Sequence, residues 1–441
     1  MKKLVLITLA GVMAGSALFA QNTNIPAKVI RNCGTEILSE DYEKWIQPLI
    51  EKQQKEAALS KAAGVNTVFT IPVVFHVIHN GSAVGSSYNI SDAQILSQLA
   101  VLNEDYRRLN PDTSTTPVAF QPVAADCEIQ FCMAQRDPNG NTTTGIDRIN
   151  RTTAGFTAPP YLDTYINGTI KPATIWNTSN YLNIWVVPDY YTGSINPNNQ
   201  LLGHATFPSG SGLTGITSGT GTTTTDGVVI WYKCVGRVGT LDPSYNKGRT
   251  ATHEIGHWLG LRHIWGDGTC ASDFCADTPT QQTANFSCPS YPHTTCSNGV
   301  NGDQFMNYMD YCDDDCLNMF TLNQKTRMVT ALNNAPMRIS QRNSIACTPV
   351  GLSENPVLQN VSLFPNPANN SLHVTLGNQM QFSDVNFRIL NLLGAEISAS
   401  KSAFDQLGNY ELNVSALSQG FYMLEINTSY GMKVVKFQVS R

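Results

Sequence analysis

Charge is scarce in this chain. Only 14% of its 441 residues are charged, the net charge is −5, and no basic block interrupts the sequence. That balance argues against nucleic acid as a partner. Long apolar runs are also missing. Beyond the N-terminus no segment approaches eighteen consecutive apolar residues, so no transmembrane segment is expected once a leader is removed. No internal repeat is present. Cysteine is absent from Val357 to Arg441, although ten of the eleven cysteines lie between Cys127 and Cys347. The length leaves room for two or three domains, each with its own core.

What is present points outside the cell. Lys2 and Lys3 precede an apolar stretch from Leu4 to Phe19 that ends at Ala20. Residues 1–20 therefore read as a secretory signal peptide, and no cysteine follows the cut as a lipoprotein would require. Eleven cysteines in an exported chain imply disulfides plus one thiol left over. The isolated one is Cys33, in Arg31-Asn32-Cys33-Gly34-Thr35.

The densest signal is the run from His253 to His263, His-Glu-Ile-Gly-His-Trp-Leu-Gly-Leu-Arg-His. It matches H-E-x-x-H-x-x-G-x-x-H, a zinc site with its own general base. On a helix His253 and His257 fall on one face, about 40° apart, and can grip one ion. Glu254 lies one position round, close enough to reach a water on that ion without ligating. Gly260 can take a left-handed conformation that ends the helix, so His263 approaches from outside it. Three neutral imidazoles leave a fourth position open, which is the catalytic arrangement of zinc.

The rest of the chain organises around this run. Residues 21–60 form a polar segment ending in a charged, helix-like stretch from Glu40 to Lys61. Val68 to Ile78 reads as a strand, and Ser91-Asp92 can cap a helix with Ile95, Leu96, Leu99, Leu102 and Tyr106 at helical spacing. Further strands are expected at Ile129 to Gln135, Tyr181 to Val187 and Gly227 to Val235, before a zinc helix starting near Thr250. Strands alternating with two long helices indicate a mixed sheet carrying helices. Residues 266–304 hold Gly, Asp, Pro and four cysteines, so cross-links replace a core there. After a linker at 349–356, short alternating strands from 357 to 441 suggest a small β-sandwich.

Gly248-Arg249-Thr250-Ala251-Thr252 leading into the zinc run, followed by Asn307-Tyr308-Met309-Asp310-Tyr311, resembles the pappalysin family of metzincin metallopeptidases. The resemblance spans roughly residues 68–347. It implies an α/β (α+β) catalytic domain over 61–348, with a backing helix, an active-site helix and a disulfide-linked lower subdomain. An upper-edge strand would hold protein or peptide substrates by main-chain pairing. In such a zinc endopeptidase Glu254 acts as general base, Met309 forms the Met-turn and Tyr311 assists the transition state. Asp314 matches a family position lining the pocket for the residue after the scissile bond, which implies Arg or Lys there; the run Asp313 to Asp315 also reads as a solvated turn. Asp273 to Pro279 resembles a family loop that binds calcium, with Asp277 as ligand, or it is an Asp-capped turn. Arg-x-Cys-Gly resembles a cysteine switch, in which the Cys33 thiolate fills the open zinc position of a latent zymogen; the alternative is a disulfide. Activation is expected at Ser60-Lys61. The family's cross-links imply Cys270–Cys296 and Cys288–Cys316, and Cys275–Cys312, Cys127–Cys132 and Cys234–Cys347 then follow by elimination.

Leu363-Phe364-Pro365-Asn366-Pro367-Ala368, the Leu393-Gly394 turn, Gly420-Phe421-Tyr422 and Lys433-Val434-Val435-Lys436 resemble the sorting domain of the bacterial type IX secretion system. That implies export to the outer surface or beyond, with the secretion machinery as partner. A carbohydrate- or protein-binding module is the other reading of this domain. For the whole chain, a monomeric secreted peptidase stands against three rivals, a zinc amidase of cell-wall peptides, a surface adhesin on a protease fold and a structural surface protein for which proteolysis is incidental.

Overall fold

Phe69–His79 is Val-, Ile- and Phe-rich without alternation, the pattern of a strand covered on both faces, and it forms the central strand β1. The computed structural model describes residues 29–35, 40–62, 68–208, 221–349, 361–376, 385–391, 395–400, 409–428 and 431–441. The expected signal peptide, nearly all of the linker and the Leu393-Gly394 turn lie outside these residues. The first helix, α1, runs Glu40–Ala62, so the Ser60-Lys61 bond falls within it. After β1 come the backing helix α2 (Asp92–Tyr106) and strands β2 (Ile129–Met133), β3 (Ile146–Asn150), β4 (Leu182–Val187), β5 (Gly203–Ala205) and β6 (Val228–Trp231).

The sheet order is β2-β1-β4-β6-β5, with β3 also pairing to β1. All pairs are parallel except β5 with β6, so one short antiparallel strand ends the sheet. Helix α3 (Arg249–Trp258) and α2 pack beneath the sheet, burying Ile95, Leu102, Ile184, Ile255 and Trp258 in one core. Ser91 caps α2 through a bond from the Gln94 amide, as expected. A helix the sequence reading did not include, α4 (Leu322–Asn334), closes the lower part and opens with a capping box between Thr321 and Gln324.

Two expected disulfides form, Cys270–Cys296 and Cys288–Cys316, and a third joins Cys132 to Cys347. The pairs Cys127–Cys132, Cys234–Cys347 and Cys275–Cys312 are corrected, because Cys127, Cys234, Cys275 and Cys312 are free and buried. The reason lies in strand geometry. Cys132 lies about 10 Å along the extended strand from Ile129, whereas Cys127 precedes the strand and its amide bonds the Tyr106 carbonyl, so the two thiols do not meet. On β2, Ile129 and Phe131 face α2, which turns Cys132 to the opposite face. There the Gln135 amide bonds the Ala346 carbonyl and brings Cys347 alongside. Cys234 sits instead beside Arg31 and Asp314. Cys275 lies near Arg327 and Asp273, whereas Cys312 lies near Asp310 and Arg31.

The C-terminal part folds as two antiparallel sheets. One holds β7 (Ser362–Phe364), β8 (Ser371–Thr375) and β11 (Asn409–Asn413). The other holds β9 (Asn386–Leu390), β10 (Glu396–Ser400), β12 (Gly420–Thr428) and β13 (Gly431–Val439). Leu372, Val374, Phe387, Ile389, Leu412, Leu424 and Phe437 form their shared core. β7 and β10 were not expected from the sequence. Each is short, and the described part of β10 is exposed, so neither carries a strong alternating pattern.

Candidate metal centre and cleft

Helix α3 places His253 and His257 one turn apart, and Gly260, with φ of +93°, turns the chain so that His263 joins them. Each ring is fixed from behind. His253 Nδ1 bonds the Tyr308 carbonyl at 2.7 Å, His257 Nδ1 the Leu261 carbonyl at 2.8 Å, and His263 Nδ1 the Asp267 carboxylate. A carbonyl only accepts, so the proton of His253 and of His257 is on Nδ1 and the lone pair on Nε2. The Nε2 atoms of His253 and His263 nevertheless lie 3.1 Å from that of His257. These contacts are not hydrogen bonds, since the lone pairs face one another. Converging lone pairs at this spacing suit a cation, and a tetrahedral zinc with 2.0–2.1 Å bonds sets its ligands about 3.3 Å apart. Burial first, and the neighbouring rings second, hold His257 down at about 3 and His253 well below its ordinary value, which keeps both neutral.

Support from below comes from Met309. A Cβ on Gly256 would lie 2.5 Å from Met309 Sδ, so the helix and the Met309 turn approach through glycine. Alanine at 256 gains about 1 kcal/mol of helix propensity, but overpacking costs about 1–3 kcal/mol. Gly256→Ala is therefore expected to lower Tm in thermal unfolding; an unchanged or higher Tm would sink this account of the contact.

Residues 31–35 lie across the centre. Cys33 Sγ and the three histidines place one ligand atom each within 4.8 Å of one another. The Cys33 thiol, raised by burial and then by Glu254, would not ionise here unaided; a bound dication would draw off its proton. Glu254 is buried, and burial pushes it up to about 7 against its bonds to Cys33 and Thr35. Thr35 Oγ1 donates to Glu254 Oε2 at 3.1 Å and accepts from the Ala205 amide at 2.9 Å. Tyr311 Oη accepts from the Cys33 amide at 3.3 Å, and its ring stands 5.0 Å from that of His263.

The main chain of this segment adds a strand to β5. Gly34 donates to the Gly203 carbonyl at 3.0 Å and Leu202 to the Asn32 carbonyl at 3.1 Å, in parallel sense. Arg31 enters a buried pocket, where Nη2 meets Asp314 Oδ1 at 2.7 Å, Nε meets the Cys312 carbonyl at 3.3 Å and the guanidinium faces Tyr245. Asp314 Oδ2 takes the Lys247 and Arg249 amides at the start of α3. Burial raises the Asp314 carboxyl against these partners, so it needs a cation to stay charged. Asp314 is thus fully buried rather than on a solvated turn.

Asp277 stands apart from the centre. Its two oxygens take Thr321 Oγ1 and the Asn323 amide, at the start of α4. Sequence reasoning missed Asp267, Gly256, Thr35 and the role of Arg31. An acid four residues after the third histidine was a usable signal for Asp267; the others follow only from long-range packing.

The family model described as pregnancy-associated plasma protein-A, a peptidase family, matches residues 165–333, and that of a secretion system C-terminal sorting domain matches residues 362–440. An extracellular metalloprotease of Colletotrichum graminicola is 32% identical over 315 residues, 71% of this chain and 93% of that protein. One from Sordaria macrospora is 30% identical over 305 residues, 68% of this chain and 88% of the relative. Mature mirolysin of Tannerella forsythia, solved with a cleaved peptide, is 44% identical with a TM-score of 0.54, covering 63% of this chain and 97% of that one. A promirolysin mutant from the same organism is 41% identical with a TM-score of 0.55, covering 71% and 97%.

Proposed function

Since the chain belongs to the pappalysin (pregnancy-associated plasma protein-A) family of metallopeptidases, we propose that it is a secreted zinc endopeptidase, held latent by its own N-terminal segment, that cuts before arginine or lysine. Its sorting domain sends it to the cell surface or beyond through type IX export. The observation that carries the latency and specificity is the path of residues 31–35, with Cys33 on the three histidines and Arg31 on Asp314.

Zinc on His253, His257 and His263 would supply Lewis acidity and a water of lowered pKa. Glu254 takes the proton of the attacking water and passes it to the leaving amine. The Tyr311 hydroxyl donates to the oxygen that gains charge. The main chain of β5 aligns the substrate by strand addition. Direction matters here. A substrate with its basic residue after the scissile bond runs from the metal towards Asp314. The pro-segment runs from Asp314 at Arg31 to the metal at Cys33, so it occupies both positions in the reverse sense and presents no bond for cleavage.

A structural calcium in the Asp273 to Pro279 loop, with Asp277 nearby, belongs to the same reading. Its support is that Asp273 is buried with one carboxylate oxygen lacking any hydrogen-bond partner among the described residues. Calcium removal by EGTA is expected to lower Tm, restored by added calcium; no shift would remove the ion from the account.

Latency is tested with Cys33→Ala. The uncut variant should hydrolyse a fluorogenic peptide at least about tenfold faster than the uncut parent, because the open zinc position is then free for water. Equal rates, with mass spectrometry verifying that both chains are intact, would rule out the switch. N-terminal sequencing of the mature form should begin at Lys61, and a start far from it would remove self-processing.

A further inference from the structure

The pro-segment holds on at a second place, away from the cleft. Along α1, Tyr42, Glu43, Ile46 and Ile50 are buried and fall on one helical stripe, while Asp41, Lys44, Pro48 and Glu51 are exposed. Tyr42, Ile46 and Ile50 pack on Phe207 and Ala331, and Gln53 accepts from Asn333 at 2.8 Å.

At the centre of this contact lies one carboxylate. Glu43 accepts from Arg327 Nη1 at 2.8 Å, Arg327 Nη2 at 2.5 Å and Arg262 Nε at 2.8 Å. The Arg327 and Arg262 side chains are 1% and 7% exposed. Arg327 Nε bonds the Gly260 carbonyl, the turn that delivers His263. Both cations belong to the part of the chain that remains after maturation, and the carboxylate does not. Removing α1 takes away the carboxylate that both cations share and bares the apolar side chains of Phe207 and Ala331 beside them, so the face is built for a carboxylate-bearing amphipathic helix.

We propose that this face is an interaction surface of the mature enzyme and that its occupant is the severed pro-helix itself. Cutting the chain does not open the cleft; departure of α1 from the Arg262–Arg327 socket does. While α1 stays seated, residues 31–35 remain tethered beside the metal centre at high effective concentration, and the cut enzyme stays inhibited. The inference rests on the latency reading, but its anchor is separate from Arg31 and Cys33.

The test uses the full chain with a recognition sequence for a sequence-specific protease inserted after Ala63, so that cutting does not depend on self-processing. After the cut, gel filtration at about micromolar concentration should carry the pro-fragment with the wild-type chain, with hydrolysis still low. In Glu43→Gln the fragment should separate. A labelled peptide of residues 40–55, which lacks both Arg31 and Cys33, should then bind the emptied variant chain. The same peptide with Glu43→Gln should bind on the order of a hundredfold more weakly, and one with Lys44→Ala should bind unchanged. Release of the wild-type fragment as readily as that of Glu43→Gln would overturn the proposal, as would equal binding of the wild-type and Glu43→Gln peptides. Failure of latency itself would appear separately, as no effect of Cys33→Ala.

Discussion

Glu254→Gln is expected to reduce hydrolysis of casein by about 10²- to 10⁴-fold, the contribution of a positioned general base. The substitution is nearly isosteric and leaves His253, His257 and His263 untouched. Zinc content should therefore stay at one ion per chain by elemental analysis. Stability should hold or rise, because Glu254 is a buried carboxyl that burial has raised to about 7. A Gln variant retaining more than about a tenth of parental activity would place the base elsewhere, since no uncharged amide can accept the water's proton. The same variant separates an enzyme from an adhesin on a protease fold, because adhesion would survive it.

Asp314→Asn carries the second large effect. Breaking a buried pair from one side leaves an uncompensated charge and costs about 3–5 kcal/mol, so kcat/KM on peptides with Arg or Lys after the cut should fall about 10²- to 4 × 10³-fold. Peptides with neutral residues there should change little, and a cleavage library should lose its basic preference. The variant should also weaken latency, because Arg31 of the pro-segment uses the same carboxylate at 2.7 Å. Two readouts therefore move together, specificity of the mature enzyme and leakiness of the zymogen. A library with no basic enrichment in the parent, or the same enrichment in Asp314→Asn, would remove Asp314 from specificity.

The zinc run was legible because its chemistry is local. A helix of 3.6 residues per turn is enough to bring His253 and His257 together, and one glycine is enough to bend the chain to His263. The unbroken apolar stretch of β1 and the capped α2 were readable for the same reason. The cysteines were only partly readable. Cys270 with Cys296 and Cys288 with Cys316 followed from the family resemblance and not from their spacing, whereas Cys132 and Cys347 are 215 residues apart and meet because β2 turns Cys132 onto the face where the chain's return passes.

Residue types and spacings alone marked a run of three histidines at metal-ligand spacing with a glutamate in the place of a general base, a leader-like N-terminal stretch and a cysteine-free, strand-rich end. Tertiary structure alone decided which buried groups pair around that centre. Asp314 became a buried pocket wall because α3 begins beside it, and Arg31 met it from the far end of the chain. Glu43 found Arg262 and Arg327, whose cationic groups no local pattern could pair. Helix periodicity and turn chemistry act over a few residues, whereas buried charges must find partners wherever the fold supplies them.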